Sequence, residues 1–206
     1  ETLPIWNAVC AQGREYFNAD NSYFDRGRQA YYRITRNALQ VSTVQPPDHK
    51  RLQVLGAKVK PWRTAGTHIV VCEQSDPFMR LCGYGGGWLT RTVTELRKHT
   101  DRPLRIRRWN RDKGKMLATL RGDLDGAWAL VTHMSAASNE ALLSGVPVFV
   151  SGSCAASPLS SGTLDNIESP ATPDGREDWA AGLAACQWTV DEIRSGRCWR
   201  DLNENT

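Results

Sequence analysis

The sequence predicts an α/β fold with a parallel sheet and covering helices. Three observations carry that expectation. Continuous apolar runs at Thr67–Cys72, Ala129–Thr132 and Val146–Val150 read as buried strands. Between them, Leu89, Val93 and Leu96 recur at helical spacing, and Ser138–Ser144 is a short helical run closed by Gly145. From residue 67 to 150 the order is strand, helix, strand, helix, strand, helix, strand, the rhythm of βαβ units.

Leu3–Gly13 is expected to be a helix with Ile5, Trp6, Val9 and Cys10 on one face and Gly13 as its stop. Glu15–Ala19 and Ala30–Thr35 are expected strands, and Asp20–Gly27 a polar loop carrying aromatics. Residues 37–50 are expected to be loop, because Pro46-Pro47 denies donors to a helix and restricts the residue before it. Gly83–Gly87 is a flexible loop before the helix Trp88–His99. Pro103–Arg107 is a strand and Lys115–Leu120 a short helix. After a loop-rich stretch from Pro158 to Gly175, two helices, Arg176–Cys186 and Thr189–Gly196, close the chain. Thr189 and Glu192 have capping-box spacing at the start of the second.

With 206 residues, 40% of them hydrophobic and eight Trp, the chain can bury one substantial core or two small ones. A net charge of +4 permits an anionic partner without demanding one. The six cysteines show no C-x-x-C pair and no nearby His to complete a zinc pattern. They are expected to be buried thiols in a reducing, cytoplasmic setting. No apolar run reaches the length of a membrane span. No signal-peptide pattern is present, and a chain that opens at Glu1 inside a predicted helix is expected to have lost upstream residues.

The densest chemistry lies in Gly126–Val150, where a buried strand leads through a small-residue turn into a helix. A helix start at a strand exit offers free N–H groups and a positive dipole end to a phosphate. Open α/β sheets place ligands at such exits. His133, Ser135, Ser138 and Glu140 bring side chains to the same place. For each, a local reading stands beside the functional one: Ser at a helix cap, Glu in a first turn, His bonded to backbone. Arg105, Arg107, Arg108, Arg111, Lys113 and Lys115 form a basic run around Trp109. Guanidinium groups there suit a diphosphate, while the run with Trp109 equally suits a nucleic-acid backbone and a stacked base. Gly83–Gly87 lacks the Walker A and dinucleotide spacings and is expected to be a turn passing close over a ligand.

The segments His68–Cys72, Trp88–His99, Leu104–Arg107, Ala129–His133 and Ser138–Val148 resemble the donor-binding half of glycosyltransferases of the B fold. The capsule-polysaccharide transferases and glycerophosphotransferases are nearest in character. Asn18–Phe24 and Tyr31–Thr35 resemble a segment that precedes such domains in some phage and bacterial glycosyltransferase-like proteins. The resemblance implies a reduced, Rossmann-like member of that architecture. Residues 1–60 are then an abbreviated acceptor-side segment and residues 61–206 a nucleotide-sugar-binding domain.

The resemblance also implies transfer of a sugar from a nucleotide-activated donor to a hydroxyl. In this reading Arg105, Arg107, Arg108, His133, Ser135, Ala136 and Ser138 hold the donor's phosphates and Glu140 accepts from the ribose. Asp20 or His133 takes the acceptor proton. Asn21, Tyr23, Arg33 and Trp109 face the acceptor. The nucleotide-sugar is a substrate; neither cofactor nor metal is implied, since basic groups and a helix dipole meet the leaving group's charge. The acceptor is a hydroxymethylated base in phage DNA, flipped from the duplex, or a surface-glycan precursor. The competing classes are a non-catalytic nucleotide binder and a DNA-binding module of the same fold. The donor reading depends on amides near residue 136 opening onto a cavity.

Overall fold

The computed structural model describes residues 2–24, 31–41, 45–81, 83–84, 86–108 and 119–204. In chain order the elements are α1 (Thr2–Ala11), β1 (Phe17–Asn21), β2 (Tyr31–Arg36), α2 (His49–Leu55), β3 (His68–Cys72), α3 (Asp76–Leu81), α4 (Trp88–Leu96) and β4 (Leu104–Arg107). There follow α5 (Leu120–Leu124), β5 (Ala127–Thr132), α6 (Ala137–Leu143), β6 (Val148–Val150), α7 (Arg176–Ala185), β7 (Gln187–Thr189), α8 (Val190–Arg194) and α9 (Arg197–Glu204).

The chain forms two units: Lys58–Arg176, and Glu1–Ala57 together with Glu177–Thr206. The last thirty residues join the N-terminal segment through β7, which pairs with β2.

Within Lys58–Arg176 the sheet is wholly parallel, in the order β4-β3-β5-β6 with helices flanking it. This is the expected α/β arrangement. β3 is buried at every position, which explains why it reads as an unbroken apolar run rather than an alternating one. Ile69, Val71, Ala129, Val131 and Phe149 pack with Leu96 and Trp88 of α4 to form the core. β4 lies at the sheet edge, with Arg105 and Ile106 exposed. The chain passes from β3 to β4 on one side and returns to β5 on the other. The topological switch therefore lies between the C-terminal ends of β3 and β5. The turn after α6 requires glycine: Gly145 has φ +77°, and a Cβ there would stand 2.0 Å from the Pro61 carbonyl oxygen.

In the other unit, β1-β2-β7 is a small antiparallel sheet. The capping box expected at Thr189 is present: its hydroxyl accepts from Glu192 N–H, and the Glu192 carboxylate accepts from Thr189 N–H. Three helices arise where the sequence shows no helix. α2 is capped by Asp48, whose side chain accepts from Arg51 N–H, and is stopped by Gly56. α3 occupies the stretch after β3, and α9 follows Gly196. Of the face expected on α1, Ile5 is 66% exposed. Most of the expected helix Lys115–Leu120 lies outside the described residues; α5 begins at Leu120. Among the described residues, no helix is long and apolar enough to cross a membrane.

Candidate functional site

The start of α6 is closed. Ser135 Oγ accepts from Ala137 N–H at 3.3 Å, Ser135 C=O accepts from Ser138 N–H at 3.0 Å, and Ala136 C=O accepts from Asn139 N–H at 3.1 Å. Ser138 Oγ donates to Ser135 C=O at 2.7 Å. Ala136, Ala137, Ser138 and Asn139 are all buried. Among the described residues, Ser135, Ala136 and Ser138 line none of the cavities of about 510, 560 and 200 Å³. The small residues that suggest a phosphate turn here serve close packing, and the expected cradle near residue 136 is corrected on that ground. Glu140 is half-buried, and its charge helps raise the thiol of Cys72 at the end of β3.

His133 is likewise sealed rather than presented. It is 1% exposed, and Nδ1 is 2.9 Å from Ser151 Oγ. Its ring meets Tyr84 edge-on at 4.1 Å between centroids. Gly152 lies so close that a Cβ there would come within 2.6 Å of the ring. Burial lowers its pKa, which favours the neutral imidazole. Its Nε2 is buried without a partner. Neither a phosphate nor an acceptor hydroxyl reaches a ring enclosed in this way, so its donor-binding and base roles are corrected together.

The topological switch is bridged by protein groups. Gln74 Oε1 accepts from Met134 N–H at 2.8 Å, and Thr132 Oγ1 donates to Cys72 C=O at 2.9 Å. The opening lies beside it, over β3 and α4. A cavity of about 200 Å³ is lined by Glu73 and Gln74 after β3, Met79 of α3, Gly86, Gly87 and the first turn of α4, and Arg108 after β4.

Several features make this cavity suited to an anion. Gly87 caps α4 in the left-handed region, φ +87°, and as glycine it brings no capping side chain of its own. The first helical bond is Arg91 N–H to Gly87 C=O, so the N–H groups of Trp88, Leu89 and Thr90 precede it. All three residues line the cavity. A helix start of this kind carries partial positive charge, and Arg108 adds a full one. Trp88 is fixed by its Nε1–H donating to Ser151 Oγ at 3.0 Å, the hydroxyl that also meets His133. Glu73 sets a carboxylate on the same wall.

The three expected arginines therefore separate. Arg108 is exposed and borders the cavity. Arg105 is exposed on the edge strand. Arg107 is committed to an ion pair with Asp123, both side chains being largely buried. Asp123-Leu124-Asp125 is an Asp-x-Asp triplet, but its first carboxylate is occupied by that pair. Among the described residues no group of three His, Cys, Asp or Glu is placed to hold a metal.

The remaining candidates lie in the unit that holds both termini. Asp20 forms an ion pair with Arg33, whose guanidinium also stands 5.1 Å from the centroid of the Tyr23 ring. Tyr23 is fully buried, its Oη accepting from Val41 N–H at 3.1 Å. Tyr23 and Arg33, expected to face an acceptor, instead build this unit's interior. Asn21 is exposed at the end of β1. Trp109, with Arg111, Lys113 and Lys115, lies outside the described residues.

Sequence reasoning misses Glu73 and Gln74, although their position directly after an apolar strand is the signal that finds strand exits. It also underweights Gly86 and Gly87, which matter because they leave a helix start uncapped.

No family model matches the chain, and no curated protein matches it. Among solved structures it is similar to KpsC of Thermosulfurimonas dismutans, a beta Kdo 2,7 transferase, with 16% identity and a TM-score of 0.43. The match covers 77% of this chain and 59% of that one, so the chain spans about three-fifths of that protein's length. A likeness this loose carries neither a substrate nor a site to this chain.

Proposed function

We propose that the protein transfers a sugar from a nucleotide-activated donor, and that the donor's phosphates sit at the start of α4. The observation that carries the phosphate assignment is the uncapped first turn of α4 opening, with Arg108, onto a cavity beside the C-terminal ends of parallel strands. Sugar transfer, rather than phosphate binding alone, rests on the sequence resemblance of the strands and helices from His68 to Val148. In the transfer step the acceptor hydroxyl oxygen bonds to the anomeric carbon as the bond from that carbon to the phosphate oxygen breaks. The phosphate oxygen departs with the electron pair. The α4 amides are fixed by the helix before that charge develops, so they meet it without reorganisation, and the exposed Arg108 guanidinium adds a full positive charge beside them. Glu73, the carboxylate on the cavity wall, is the proton acceptor for the incoming hydroxyl in place of His133.

Incubation with UDP-, GDP- and CMP-sugars tests the reading. One donor should raise the melting temperature and slowly lose its sugar. A second reading, a nucleotide binder without turnover, is favoured by the sealing of His133, and it predicts the same thermal shift with an intact donor. If no nucleotide or nucleotide-sugar binds, both readings fail. Steep salt dependence of duplex affinity without any nucleotide response would support a DNA-binding module instead.

A further inference from the structure

We propose a second ligand site, in the unit that holds both chain termini, for a neutral molecule rich in hydroxyl groups and of saccharide size. It stands apart from the phosphate reading and uses none of the same residues. The cavity measures about 510 Å³, inside the range of about 300–1,000 Å³ typical of small-molecule sites.

Its walls are mixed. Ile34, Val41, Leu202 and Trp188 supply apolar surface, while Gln45, Asp48 and three arginines supply the polar part. The chemistry of that polar part decides the class of occupant. Arg51 grips Glu192 with both terminal nitrogens, at 2.8 and 2.5 Å. Arg197 donates to the same carboxylate at 2.9 Å, and Arg36 is paired with Glu15. Asp201 accepts from Trp188 Nε1–H at 2.9 Å, and Asp48 accepts from Arg51 N–H at the start of α2.

Every charged side chain on the rim is thus already engaged: Arg51 and Arg197 share Glu192, Arg197 Nε also stands 3.7 Å from Asp201, Arg36 pairs with Glu15, and Asp48 accepts from a backbone N–H. An anion entering here meets guanidinium groups already neutralised, and a cation meets carboxylates already occupied. A purely apolar molecule would strip water from this rim and return no hydrogen bonds. A neutral polyol satisfies both walls: its C–H faces lie on the apolar side, and its hydroxyls replace water around the fixed ion pairs. Because the pairs already hold one another, little side-chain freedom is lost when a ligand arrives.

The experiment is calorimetry and ligand-observed NMR on the full chain with a panel of neutral mono- and disaccharides. Inorganic phosphate serves as the anionic contrast. Ala38→Phe fills the cavity without removing a polar side chain. Gln45→Ala removes one amide and keeps the space. At least one saccharide should bind the wild-type chain and outcompete phosphate. Ala38→Phe should weaken it about tenfold or more and Gln45→Ala by a smaller factor. Arg108→Ala, in the other unit, should leave it unchanged. The inference is overturned if no saccharide binds or if phosphate binds as well. It is also overturned if both cavity variants, folded by circular dichroism, bind like wild type.

Discussion

Arg108→Ala separates the anion site at α4 from the rest of the basic run. Arg108 borders the cavity and is exposed. A hydrogen bond from a guanidinium to a charged partner contributes about 1.5–3 kcal/mol, which is about 10- to 150-fold in affinity. Screening at an exposed position places the expected loss toward the lower end. Arg105→Ala, on the exposed edge strand outside the cavity, should change affinity less than about twofold. Arg107→Ala should act differently again. Its removal leaves Asp123 partly buried and unpaired, a cost of up to about 3 kcal/mol in stability, with nucleotide affinity kept. Calorimetry with UDP, GDP and CMP at one fixed salt concentration, beside thermal melts of all three variants, reads both quantities. The assignment is refuted if Arg108→Ala binds like wild type. It is equally refuted if Arg107→Ala loses binding while its melting temperature is unchanged.

Gly145→Ala should destabilise by more than about 3 kcal/mol, since a left-handed backbone and a Cβ 2.0 Å from the Pro61 carbonyl combine. Gly162→Ala, at φ +83° with nothing within 4 Å, should cost only about 1 kcal/mol in the same melts. Glu192 has its pKa lowered to about 2, first by the Arg51 hydrogen bonds. Its stabilisation is therefore complete above its unfolded value near 4.5 and is lost as pH falls from there toward 2. Solvent around the partly exposed pair reduces the shift to about 1–2 kcal/mol. Acid melts of Glu192→Gln should lack that component, and an unchanged acid limb would refute it. His133 is held neutral by burial, its pKa below 6.5. The folded state then binds fewer protons than the unfolded chain, so stability falls as pH drops below about 6.5. Melts of His133→Phe across pH 5–8 should be flatter than wild type.

The parallel sheet was legible because its strands are buried on both faces. His68–Cys72 and Ala127–Thr132 carry almost no polar residue, and that is the sequence trace of a strand covered by helices on each side. α4 was legible from Leu89, Val93 and Leu96. α2 was hidden by the neighbouring Pro46-Pro47, although Asp48 and Gly56 mark its two ends. The return of the C-terminal residues to the first unit was not legible. β7 has three residues, and its pairing with β2 spans more than 150 positions. No local pattern encodes a partner at that distance.

The site was legible in its ingredients but not in their allocation. The sequence offers two helix starts after strand exits, one at Ala137 and one at Trp88. The first is rich in Ser and Ala, the second in Gly. Ser hydroxyls and the tight turn around Ala136 satisfy the α6 amides from within, and small side chains let the surroundings close over them. Glycine has no side chain with which to do either. Gly87 offers no side chain to the first N–H groups of α4, and Gly86 leaves room beside them. Residues that favour a helix start energetically therefore consume the groups a ligand needs, while the poorer cap leaves them available. That is why the serines, the stronger local signal, mark the closed corner, and the weaker Gly-rich signal marks the open one.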